Sequence, residues 1–140
     1  MNIKCSFPPN IEEIAASLPG ALTPGVIFCY GDTIYNPFNV RISTHLRAHE
    51  AVHSSRQGKT DEEIRAWWRK YVFDAKFRLE EEVPAHQAEY ASFRRQEKDA
   101  QLRFQFLITL AKRLSGLMYG QIVTFNEAKL LIKGNLCHSV

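Results

Sequence analysis

The segment Ser43 to Ser55 reads S-T-H-L-R-A-H-E-A-V-H-S-S and contains the run His49-Glu50-Ala51-Val52-His53. On a helix, residues four apart share one face, one turn from each other. Two imidazoles so placed can chelate one Zn²⁺, and Glu50 stands beside them where it can act as a base on a metal-bound water. Ser43 or Thr44 can cap the start of this helix, and the polar stretch Ser54 to Gly58 can end it. His45 lies one turn before His49, but Leu46 occupies the place where a base would be needed, so His45 reads most simply as exposed. The competing reading of the whole segment is an ordinary amphipathic helix with two histidines on its polar face.

A catalytic zinc needs three protein ligands and one open position. No third histidine follows in an H-E-x-x-H-x-x-G-x-x-H arrangement, because Gly58 and Thr60 do not fit it. The remaining common donor is a carboxylate from a later helix. Glu82, in Glu82-Val83-Pro84-Ala85-His86, is the best candidate, with Glu81 and Glu89 as alternatives. Its acidic cluster, Glu80 to Glu82, ends an amphipathic helix where positive charge is preferred. A solvated acidic patch is the plain alternative.

With 140 residues the chain is expected to form one domain, residues 1–140, with a core large enough to fold alone. Lys and Arg are scattered and the net charge is only +3, which gives no case for nucleic-acid binding. No apolar run is long enough to span a bilayer. Cys5, Cys29 and Cys137 are an odd, widely spaced set without a C-x-x-C pair, which suggests free thiols in a reducing compartment. Met1 to Pro9 lacks the apolar region of a signal peptide, so a cytoplasmic location is expected.

Along the chain, a short extended piece leads to Pro8-Pro9. Asn10 and Glu13 stand close to a capping-box pattern for a helix that stops by Leu18, before Pro19-Gly20. Val26 to Tyr30 and Thr33 to Tyr35, joined by Gly31-Asp32, read as a β-hairpin. Val40-Arg41-Ile42 then leads into the histidine helix. Thr60-x-x-Glu63 opens a helix with Ile64, Trp67, Trp68, Tyr71, Val72, Ala75 and Leu79 on one face. Val83-Pro84 predicts a kink or break, with helix again over Ala85 to Gln96. Asp99 can cap a helix through Leu114, with Leu102, Phe106, Leu110 and Leu114 as its stripe. Met118 to Val123 reads as extended, Thr124-x-x-Glu127 as a capping box for a helix ending at Gly134, and Asn135 to Val140 as a loose tail.

The helix-borne His49-Glu50-Ala51-Val52-His53, a hairpin upstream and a Glu on a later helix resemble a minimal zincin metallopeptidase of the Glu-ligand, gluzincin type. The resemblance covers about residues 26 to 93. It implies an α+β fold, mostly helical, with a small antiparallel hairpin packed beside the H-E-x-x-H helix. Residues 99–134 would form a helical C-terminal extension. It also implies one Zn²⁺ held by His49, His53 and Glu82, and peptide-bond hydrolysis with Glu50 as general base. The peptide or protein substrate would lie along an edge strand, in Thr33 to Asn36 or Val40 to Ile42. Tyr90, His86, Tyr35 and Tyr119 are possible oxyanion donors, and none is assigned that role. Leu114 to Gly120 with the following Phe-Asn-Glu-Ala helix is similar to small metallopeptidase-like proteins encoded by phages and prophages. That likeness supports a second reading: a non-catalytic zinc-binding structural or interaction protein on a zincin fold, such as a virion-associated or assembly component. A helical binding protein without metal is the third.

Overall fold

The computed structural model describes residues 1–134; the expected tail Asn135 to Val140, and Cys137 with it, lie outside the described residues. The fold is α+β and mostly helical. Among the described residues three short strands, β1 (Asn2–Lys4), β2 (Phe28–Tyr30) and β3 (Thr33–Tyr35), accompany six helices. The helices are α1 (Ile11–Ser17), α2 (Thr44–Gln57), α3 (Asp61–Phe73), α4 (Ala75–Gln96), α5 (Ala100–Leu114) and α6 (Phe125–Lys133). Single 3₁₀ turns occupy Pro19–Leu22 and Leu117–Tyr119. No helix among the described residues is long and apolar enough to cross a membrane.

The hairpin forms in the register Phe28 to Tyr35, Cys29 to Ile34 and Tyr30 to Thr33. The N-terminal extended piece joins it, because β1 pairs with β3 in parallel, Ile3 opposite Ile34. The strand order is therefore β1-β3-β2, with β3 in the middle.

Most helix starts follow local chemistry. The Ser43 hydroxyl accepts from the Leu46 N–H, and Thr60/Glu63 and Thr124/Glu127 form reciprocal capping boxes. Asp99 accepts from the N–H groups of Gln101 and Leu102. Gly58 ends α2 at φ 101°, and a Cβ there would stand 2.7 Å from Glu63 Cβ, so glycine is required twice over. Asn10 does not behave as expected: its side chain makes no capping bond, and both amide atoms are buried without a partner among the described residues.

Three further expectations are corrected. The helix after Thr60 does not run to Leu79. It stops at Asp74, which is extended at φ −123° and ψ 103°, and whose carboxylate accepts from the Lys76 and Phe77 N–H groups to start α4. Conversely, no break occurs at Val83-Pro84, and α4 continues through Pro84. The proline deletes the donor to the Glu80 carbonyl, but Glu80 is exposed and water can take that bond. Packing of α4 against α2, the most extensive contact in the fold, holds the helix on course. Third, Met118 to Val123 is not extended; the chain turns at Gly120, φ 77°, where a Cβ would meet Ala75 Cβ at 2.9 Å.

Two apolar clusters make the core. One joins Ile14, Phe28 and Ile64 to Trp67, Trp68 and Tyr71, and the other joins Leu79, Tyr90, Leu107, Leu110, Leu114 and Ile132. Met118 packs against both. On α5 the stripe is Leu107, Leu110, Ala111 and Leu114, while Leu102 is exposed and Phe106 half-buried. Both tryptophans are buried, their ring centroids 5.3 Å apart. Trp67→Ala and Trp68→Ala are each expected to cost about 3–5 kcal/mol in chemical denaturation, the range for large-to-small aromatic changes. A near-silent result at either position would remove that ring from the core.

Candidate metal centre

The buried face of α2 carries His49, Glu50, His53 and Gln57. The facing side of α4 carries Glu82, His86 and Glu89, at helical spacings of four and three. Their apposition brings three of the predicted site residues to one point. Nε2 of His53 lies 2.9 Å from Glu82 Oε2, Nε2 of His49 lies 3.2 Å from Glu82 Oε1, and the two Nε2 atoms are 3.2 Å apart. Donors at about 2.0–2.1 Å from a tetrahedral Zn²⁺ stand about 3.3 Å from each other. The observed triangle is close to that size, and His49, His53 and Glu82 form a group that could hold a metal ion. Glu82 Oε1 is also buried and, although near His49, makes no hydrogen bond. Two imidazole nitrogens and a carboxylate oxygen suit Zn²⁺ among other first-row divalent ions.

The other carboxylates considered from the sequence take different places. Glu89 Oε1 stands 2.8 Å from Nδ1 of His49, behind the triangle. That contact leaves Nε2 of His49 free for a metal, the usual role of an outer carboxylate. Glu81 turns away, accepting from Arg56 at 2.6 Å and from Trp67 Nε1 at 2.7 Å. Tyr71 donates to Glu82 Oε2 at 2.7 Å, a role not legible in its apolar-stripe position. Nδ1 of His86 donates to the Glu82 carbonyl at 2.7 Å, and its Nε2 is buried without a partner among the described residues. Nδ1 of His53 also lacks a partner among the described residues.

Burial and pairing oppose each other here. In the metal-free protein, burial disfavours the His49 imidazolium, but Glu82 and Glu89 outweigh it and raise its pKa to about 10. Burial alone would raise the Glu82 carboxyl, yet His53 and His49 hold it well below the usual range. Burial, with His49 nearby, lowers His86 to about 4. Glu50, 6% exposed, is pushed up by burial against the pull of His49 and His53.

Glu50, His49, His53 and Glu82 open onto a cavity of about 390 Å³. Tyr119 lines it, whereas Tyr35, Tyr90 and His86 do not; Arg113, read from sequence only as a helix-end charge, also lines it. His45 is not exposed as expected: it packs edge-on against Phe93 and Phe106, at 5.3 and 4.9 Å. The expected substrate strand is overturned too. β3 has neighbours on both sides and no free edge, and Val40 to Ile42 is not a strand. The outer edge of β2 faces α2 instead, where Gln57 donates to the Cys29 carbonyl at 2.8 Å and accepts from the Gly31 N–H at 2.7 Å.

Comparison of the chain with protein-family models, with curated proteins and with solved structures finds no match.

The geometry ranks the carboxylates. In a chelator competition for Zn²⁺, Glu82→Gln is expected to weaken binding most, Glu89→Gln by about 10–100-fold as an outer partner, and Glu81→Gln hardly at all. A larger loss in Glu89→Gln than in Glu82→Gln would move the ligand two turns along α4. The pKa shifts also set a pH dependence. The His49 pKa of the metal-free fold lies above its ordinary value of 6.5, so its ion pair stabilises that fold fully below 6.5 and is lost as pH rises through about 10. A metal must displace that proton, so affinity is expected to rise by up to about tenfold per pH unit between neutrality and that value. An affinity flat between pH 7 and 9 would mean that the His49 pKa is not raised, and would leave the choice of ligands to the substitutions above.

Proposed function

We propose that the chain is a zinc-dependent peptidase acting on a peptide or protein substrate, with His49, His53 and Glu82 as ligands and Glu50 as general base. The observation that carries this is Glu50 itself. Holding a carboxylate only 6% exposed is costly, and Glu50 is so held beside two imidazoles and facing a cavity. A divalent metal held by the three donors supplies a Lewis acid that polarises a carbonyl and acidifies water. Glu50 takes the proton from the attacking water and delivers it to the leaving amine nitrogen. Glu89 holds the His49 ring, and Tyr71 holds Glu82. The cavity's largely apolar walls, among them Val26, Ile27 and Met118, limit competing water. Three donors with open space beside them favour catalysis over a closed, four-ligand structural site. Among the described residues Cys5 and Cys29 form no disulfide.

Glu50→Gln keeps size and helix but cannot accept a proton. It is expected to leave zinc content and stability almost unchanged while reducing cleavage of a broad peptide library by at least about 10²-fold. Zinc-loaded wild-type protein that cleaves nothing in such a library would favour the non-catalytic, interaction-module reading. Full activity in Glu50→Gln would remove Glu50 from the chemistry.

A further inference from the structure

The cavity has two chemically different ends. It follows α2, since Leu46, Glu50, His53 and Gln57 all line it. From Leu46 to Gln57, eleven rises of about 1.5 Å make this about 17 Å. Arg113 marks the Leu46 end: its Nη1 lies 3.4 Å from Glu89 Oε1, and that oxygen contacts His49. The Gln57 end is marked by Trp68, because the Trp68 Nε1 and the Gln57 amide both donate to the Cys29 carbonyl. Around Trp68 lie Ile14, Ala21, Phe28 and Trp67, members of one apolar cluster and all lining the cavity. The candidate metal ligands stand between the two ends.

Arg113 is poorly used by the fold. Its one side-chain hydrogen bond or ion pair among the described residues is the long one to Glu89, whose Oε1 is already engaged at 2.8 Å by His49. The side chain is 43% exposed, so most of its five donors are free to meet a ligand. Among the described residues it is the only Lys or Arg lining the cavity, where the carboxylates are Glu50 and Glu82. A guanidinium matches a carboxylate in shape and charge.

We infer that the cavity selects peptides bearing a carboxylate on one side of the metal and a bulky apolar side chain on the other, with Arg113 binding the carboxylate and the Trp68 end taking the apolar group. The inference rests on the peptidase reading for its substrate class. The carboxylate can be the α-carboxylate of a chain end or an acidic side chain, and the probes separate these sources.

The test is binding to zinc-loaded, full-length Glu50→Gln, followed by calorimetry and tryptophan fluorescence. One probe pair is a tripeptide with phenylalanine at its N-terminus and a free or amidated C-terminus. The others are blocked tripeptides with phenylalanine at either end and aspartate or asparagine at the opposite one. Neutralising the carboxylate is expected to weaken binding at least about tenfold, as is replacing phenylalanine by alanine. Adding Arg113→Met should abolish the carboxylate preference, and Arg113→Lys should restore part of it. Zinc content checks that both variants keep the site. Preference for the free C-terminus over its amide identifies a chain end, and preference for aspartate over asparagine an internal acid. The inference is overturned if neutralising the carboxylate changes affinity less than about twofold, if the preference survives Arg113→Met, or if alanine binds like phenylalanine. Selective binding without cleavage by wild-type protein would sink the peptidase reading alone. Cleavage without this selectivity would sink the present inference alone.

Discussion

Glu82 on α4 meeting His49 and His53 on α2 is the contact on which the site depends. Three ionisable side chains, each no more than 6% exposed, occupy one point between two helices. Removing such groups from water costs several kcal/mol each and is offset only when they satisfy one another or hold a metal. The pairing distances of 2.9 and 3.2 Å, the Tyr71 hydroxyl on Glu82 and Glu89 behind His49 provide that compensation. The same contact is also the largest helix packing in the fold. Site and architecture therefore share one interface, and a change that moves α4 relative to α2 moves the candidate ligands.

Pro84 illustrates this coupling. Glu82, His86 and Glu89 share a face only if α4 is continuous, because the spacing of four and three works only on an unbroken helix. A break at Val83-Pro84 would separate Glu82 from Glu89 and leave His49 without its outer carboxylate. Local preference favours the break, while packing against α2 and the exposed Glu80 carbonyl make the continuous helix affordable. At Asp74 the balance runs the other way: an apolar stripe that continues in sequence is cut by a side chain that caps a new helix.

The sheet has a supporting part. β3 is closed on both sides, and the free edge of β2 is turned to α2, where the Gln57 amide stands in for a neighbouring strand. This fixes the hairpin to the candidate ligand helix one turn beyond His53. It also leaves the approach to Glu50 as a cavity with an aromatic, apolar end and an arginine end rather than an open strand edge.

The sequence by itself determined the local features. The His49-Glu50-His53 spacing, the capping boxes at Thr60 and Thr124 and the two-residue turn of the hairpin depend on neighbours within four or five residues, and helix and strand periods translate them directly. It put Glu82 first as the third candidate donor, from its place after the aromatic helix and the Glu82-x-x-Ala85 spacing, with Glu81 and Glu89 as alternatives. The tertiary structure gave each of the three its own place, with Glu82 at the imidazoles, Glu89 behind one of them and Glu81 at Arg56 and Trp67. It alone also brought Tyr71, Gln57 and Arg113 into the site and closed β3 with an N-terminal strand. Those roles depend on partners more than ten residues away, whose meeting is set by how helices and strands pack, and no local period in the chain encodes it.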